Sequence, residues 1–225
     1  MNLPFDLIDQ LKIASGLFWS LVYLLIIGRS FRDKTYGMPV VALCANISWE
    51  FIFSFILPHP KPQLYIDMIW FLLDAVILVQ YLKFGKAEFN PNLPQRLFFP
   101  TFLVTLLLSF LLVLLVTYEF KDWSGRYSAF GQNLMMSVMF LSLLLKRNHL
   151  RGQSVSIAVC KMLGTLFPSV LFYCYYRSNL LTLLSLGILI FDWAYIVLLY
   201  AKCKELGKKI FGEKFRGDHY LYRHL

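Results

Sequence analysis

Seven runs of apolar residues, each near the length that crosses a bilayer, leave this chain few ways to fold. A hydrocarbon core about 30 Å thick is spanned by about 20 apolar residues in a helix. The runs fall near residues 11–28, 39–58, 65–83, 97–117, 128–145, 154–176 and 180–201. Backbone inside lipid must satisfy its own hydrogen bonds, so each run is expected to be helical. The expectation is an all-α polytopic membrane protein: one domain over residues 1–225, seven transmembrane helices, short loops and a basic tail from Lys202 to Leu225. Composition agrees, because only 16% of the 225 residues are charged and 58% are hydrophobic, where soluble domains carry about 25% charged residues. No extramembrane domain is expected. The opening stretch, with Asp6 and Asp9 and no basic n-region, is not read as a removable signal.

Charge placement supplies a second line of argument. Seven spans put the loops near residues 30, 90 and 150 on the same side as the tail. Those segments hold Arg29, Arg32 and Lys34; Lys83, Lys86 and Arg96; Lys146, Arg147 and Arg151; and seven more basic residues from Lys202 to Arg223, sixteen in all. The opposite side holds five, Lys12, Lys61, Lys121, Arg126 and Arg177, and Lys161 lies within the sixth run. The positive-inside rule then puts the N-terminus outside and the C-terminus in the cytoplasm. The net charge of +9 is accounted for by this asymmetry. The expected partner is the lipid bilayer, not nucleic acid.

Ionisable side chains inside the runs cost several kcal/mol each and need a reason. Glu50, Asp74, Lys161 and Asp192 are such residues. At about 1.5 Å per residue, the three carboxyls lie about 12, 14 and 18 Å below the same face of the membrane. Helical spacing adds neighbours to each. Asn46 stands one turn before Glu50, with Trp49 adjacent; Asp67, Trp70 and Asp74 align on the third run; Asp192 shares a face with Tyr195 and is flanked by Trp193. The fifth run offers Gln132, Asn133 and Ser137, and the sixth Lys161 and Thr165. Polar stripes on five helices describe a central cavity. Asp74 alone also fits a helix-to-helix hydrogen bond, and Lys161 fits a structural residue whose stem reaches back toward the cytoplasmic interface. A weak echo links Trp70 to Asp74 and on to Lys83 in the third run with Asp192-Trp193 and on to Lys202 in the seventh.

A carboxyl in low dielectric is hard to ionise and can act as a general acid, more so beside a second carboxyl. Trp and Tyr faces attract positive charge, and exclusion of water protects a cation from quenching. Acid plus aromatic cup is what a carbocation cascade requires. Other chemistries find little support: there is no glycine-rich phosphate loop, nucleophile elbow or metal-spaced cluster, and no aspartate-rich diphosphate and magnesium motif. Cys44, Cys160, Cys174 and Cys203 read as small buried side chains. His59, His149, His219 and His224 fall in loops or the tail and are given no role. Acids in a mid-membrane cavity also suit a proton-coupled transporter, which is the competing class.

Asn46-Ile-Ser-Trp49-Glu50 followed by Pro58, Trp70 with Asp74, Gly131-Gln-Asn133 with Ser137, Arg151-Gly-Gln-Ser154, Lys161 with Gly164-Thr165, and Asp192 with Tyr195 resemble, in that order, the small integral-membrane terpene cyclases of fungal meroterpenoid and indole-diterpene pathways and their bacterial relatives. The resemblance implies non-oxidative cyclisation of a prenyl chain on a polar head, begun by protonating a terminal epoxide or an alkene. It implies that Glu50 and Asp192 move the proton, with no metal and no cofactor. A prenyltransferase and a flavin epoxidase are the functional neighbours it implies, and a lipophilic prenylated molecule the substrate. Asp74 completes the expected catalytic set. Asn46, Trp49, Trp70, Asn133, Trp193 and Tyr195 are expected to contact substrate.

Overall fold

The structure, a computed structural model, describes residues 5–207. Residues 208–225, most of the expected basic tail, lie outside the described residues. Seven helices follow one another: α1 Phe5–Asp33, α2 Val40–Phe51, α3 Gln63–Phe84, α4 Phe98–Glu119, α5 Arg126–Arg147, α6 Val155–Tyr175 and α7 Asn179–Glu205. Six of the runs are long and apolar enough to cross a membrane, whereas the second, Val40–Ile56, is shorter.

The helix ends follow from local chemistry. Ser154 and Ser178 cap α6 and α7 by accepting hydrogen bonds from the Ile157 and Leu181 amides at 3.2 and 3.3 Å, which satisfies backbone donors left over in the first turn. Asn148 closes α5 in the left-handed conformation, φ 52°, which Asn tolerates better than most residues. The end of α2 is different. Its last turn widens into a π-helical segment, Ile52–Ile56, after which Pro58, Pro60 and Pro62 prevent helix continuation. The His59 amide then bonds back to the Phe53 carbonyl at 3.1 Å.

The bundle closes as a circuit in which α1 packs on α3, α3 on α2, α2 on α5, α5 on α7, α7 on α6 and α6 on α1; α4 lies outside, against α2 and α5. Leu103, Val104, Leu107, Leu108, Leu112 and Leu115 of α4 all face outward, an apolar area that a soluble protein would not leave uncovered. One half of the bundle is solid. There Ile26, Leu43, Ile77, Met136, Phe140, Ile157 and Leu199 are fully buried in a single cluster. The loops at that end are tied together by Arg147, which bonds Glu88 at 2.8 Å, the Thr35 hydroxyl and the Tyr36 carbonyl at 3.0 Å. The other half is hollow.

Candidate active site

A cavity of about 540 Å³ occupies the hollow half, lined from α1, α2, α3, α5 and α6. Its rim is formed by His59 and Lys61 between α2 and α3, Ser124 and Arg126 where α5 begins, and Tyr176 at the end of α6. No residue of α7 lines it.

Spacing by four on two helices puts the polar wall in place. Asn46 and Glu50 project from one face of α2, and Ser15, Trp19 and Tyr23 from one face of α1. The Tyr23 hydroxyl donates to Glu50 Oε1 at 2.7 Å. Asn46 Nδ2 donates to the Tyr23 oxygen and to Asp74 Oδ2, the latter at 3.1 Å, while Gln132 Nε2 donates to Asn46 Oδ1 at 3.3 Å. Glu50 is 2% exposed and lines the cavity; Asp74 is fully buried behind it. The two carboxyls are joined through Tyr23 and Asn46, and among the described residues no donor reaches Glu50 Oε2 or Asp74 Oδ1. Among the described residues no cation is bonded to either side chain. Around them stand indoles: Trp49 donates to the Gly125 carbonyl at 3.0 Å, Trp70 to the Ser20 hydroxyl at 3.1 Å and edge-on to Tyr23, and Trp19 packs on Tyr23. Asn133 also lines the cavity and donates to the Thr165 hydroxyl at 2.7 Å.

The seventh helix departs from expectation. Asp192 does not meet Glu50. Its two oxygens accept from Lys161 Nζ at 2.8 and 3.1 Å, and the same ammonium donates to Ser137 Oγ at 2.6 Å. Lys161 is fully buried and so does not extend its stem toward the interface; the nearby carboxylate makes that position tolerable. Asp192 lines a separate, mostly apolar cavity of about 450 Å³ between α6 and α7, and Thr165 belongs to both cavities. Trp193, expected to touch substrate, is 60% exposed on the outer face of α7. Its neighbour Asp192 points inward, and consecutive residues on a helix lie about 100° apart. Tyr195 is wholly buried, donating to Gln153 at 2.9 Å and packed on Phe140, and it lines neither cavity.

Among the cavity residues that escaped the sequence reading are Trp19, Tyr23 and His59. Trp19 and Tyr23 were open to detection, since Ser15, Trp19 and Tyr23 repeat at four-residue intervals, but no ionisable residue at the middle of the first run marked that face. His59 sits in a proline-rich connection and gave no signal. It is 9% exposed, stacks on Phe53 with ring centroids 4.6 Å apart, and bonds through Nδ1 to Asp67 at 2.7 Å.

Comparison with known proteins bears on this arrangement. A Pyr4-family terpene cyclase, mfmH of Annulohypoxylon moriforme, is 34% identical over 168 residues, which cover 73% of this chain and 69% of that protein. Asnovolin H synthase nvfL of Aspergillus novofumigatus is 31% identical over 171 residues, 72% of this chain and 68% of the relative. Terpene cyclase pyr4 of Aspergillus fumigatus is 36% identical over a shorter stretch of 83 residues, 36% of this chain and 34% of the relative. Residues 4–204, from the first helix through nearly the whole of the seventh, match the family of Pyr4-like transmembrane terpene cyclases, and to that family this chain belongs.

Proposed function

We propose that this membrane terpene cyclase opens a terminal epoxide on a prenylated, polar-headed substrate by proton transfer from Glu50, and guides the resulting cation to a ring system. The observation that carries the reading is the Glu50–Asp74 pair. Among the described residues these two buried carboxyls have no cationic partner and one oxygen of each is reached by no donor, and of the two Glu50 lines the cavity. An isolated ionised carboxylate is costly in such a place, and a neutral Glu50 carries the hydrogen that an epoxide oxygen needs. Tyr23 and Asn46 fix its orientation. Asp74, held by Asn46, is the reserve from which the proton is restored.

Trp49, Trp70 and Trp19 supply π faces for the cation, each contributing about 2 kcal/mol or more when desolvated. Asp192 acts in this reading by holding Lys161, and through it α6, against Ser137 of α5. The cavity opens at one end of the bundle, and the buried cluster with the Arg147 ties fills the other. A carrier needs access from both sides, so this shape favours the enzyme over the transporter.

The test supplies membranes containing the full chain with an epoxidised farnesyl hydroquinone and follows formation of an isomer of equal mass. Glu50→Gln keeps the shape and removes the acid, and should slow isomer formation by about 10²–10⁴-fold, the usual contribution of a general acid. Isomer formation at the wild-type rate by folded Glu50→Gln would remove Glu50 from the mechanism.

A further inference from the structure

We propose that His59, oriented by Asp67, is the base that ends the cascade. The inference rests on Glu50 being the initiating acid. Asp67, in the second turn of α3, is fully buried, with Oδ1 accepting from Gln63 Nε2 at 2.8 Å and Oδ2 bonded to His59 Nδ1 at 2.7 Å. A carboxylate accepts and does not donate, so Nδ1 of a neutral His59 carries the hydrogen and Nε2 keeps a lone pair. His59 lines the cavity. A buried carboxylate behind an imidazole stabilises the imidazolium that forms when Nε2 takes a proton. Asp67 and His59 thus have the arrangement of a base at a wall otherwise made of Trp49 and Phe53, whose rings lie 5.5 and 4.6 Å from the imidazole.

Position along the cavity gives the dyad its task. Glu50 sits within α2, whereas His59 lies beyond its end, in the connection that forms the rim. When Glu50 protonates the epoxide oxygen, the carbon–oxygen bond breaks with its electron pair left on the new hydroxyl. Each double bond then attacks in turn, and positive charge moves along the prenyl chain toward the head. An epoxide at Glu50 therefore sends the charge toward the open end, past Trp49, to the part of the cavity that His59 faces. There a carbon–hydrogen bond next to the last cation breaks, its electron pair becomes the new double bond, and the proton passes to Nε2. One proton enters and one leaves, so the product is an isomer. Asp74 restores the proton to Glu50, and the proton taken by His59 leaves to water at the rim, from which the acid pair is recharged. The π-helical turn Ile52–Ile56 and the His59 amide bond to the Phe53 carbonyl fold the connection back over the cavity, and π segments inside helices often mark functional positions.

The experiment compares wild type, His59→Gln and Asp67→Asn in membranes given epoxidised farnesyl hydroquinone, with epoxide loss and product identity read separately by mass spectrometry. In His59→Gln the epoxide is still opened by Glu50, but the alkene isomer should form about a hundredfold more slowly, the scale of a lost general base. Cyclised alcohols, heavier by one water, should replace it. Asp67→Asn should shift product in the same direction, and because it leaves the Phe53 stack intact it carries the test if His59→Gln does not fold. Trp193→Leu, on the outer face of α7, should give the wild-type alkene. An unchanged alkene profile in folded His59→Gln or Asp67→Asn overturns the assignment of the base. No epoxide loss in wild type instead overturns the epoxide-opening reading on which this inference rests.

Discussion

Glu50 and Asp192 are equally buried carboxyls, and their partners give them opposite characters. Glu50 meets a phenol and, through Tyr23 and Asn46, a second acid; Asp192 meets an ammonium at two oxygens. Removing the charge of Asp192 leaves Lys161 unpaired at 0% exposure, and breaking a buried pair in this way costs about 3–5 kcal/mol. Asp192→Asn should therefore lower the melting temperature in detergent, and Lys161→Met combined with Asp192→Leu should recover most of the loss. A double variant as unstable as Asp192→Asn would mean that the pair is not the source of the cost. The outer tryptophan gives a complementary expectation. Trp49→Leu and Trp70→Leu should change the ratio of cyclised products, and Trp193→Leu should not, measured on the same epoxide. The positions of Glu50, Asn46 and Asp74 were legible because a charge in an apolar run demands a partner and Asn46 stands one turn from Glu50. The direction of Asp192 was not. Helical periodicity says which residues share a face, but which face meets which neighbour depends on the order of helices around the bundle, and nothing in α7 itself encodes that.

At the scale of elements, the first three and last three helices use one device twice. In each set the third helix carries a buried acid, Asp74 or Asp192, and the second helix holds it, through Asn46 at 3.1 Å or Lys161 at 2.8 Å. Among the described residues the neutral amide leaves Asp74 without a counter-charge, whereas the ammonium neutralises Asp192. The apolar runs placed all seven helices, though α1, Phe5–Asp33, extends past its run 11–28 at both ends; the π-helical finish of α2 was not readable, because no residue type specifies a widened turn. That finish is supported by Gly125, which has φ 59° and whose absent Cβ would lie 2.4 Å from Phe53 and 2.7 Å from the Trp49 indole nitrogen. Any side chain there must displace both rings and adopt a left-handed backbone. Gly125→Ala should cost about 1–3 kcal/mol, seen as a lowered melting temperature, and should also change the product ratio because Trp49 forms part of the cavity wall. Gly164→Ala, which would press on Trp19 at 2.9 Å, tests the same wall from α6.

Over the whole molecule, one end is packed and tied and the other is hollow, and the basic residues divide along the same axis. The Arg147, Arg151 and Arg29 network lies at the packed end, while the cavity rim shares its end with the five basic residues of the opposite side. With eleven of the described Lys and Arg toward the packed end against five toward the other, we propose from the positive-inside rule that the packed end lies in the cytoplasm and the cavity mouth on the far side. Lys61 and Lys146 are exposed at the two ends, which makes the orientation measurable. In sealed membrane vesicles with the cytoplasmic face outward, Lys146→Cys should react with a membrane-impermeant maleimide at once, and Lys61→Cys only after the vesicles are opened with detergent. The native thiols are buried or half-buried, and the unsubstituted chain corrects for their labelling. The reverse pattern would put the cavity mouth in the cytoplasm, and the charge asymmetry would then need a different cause.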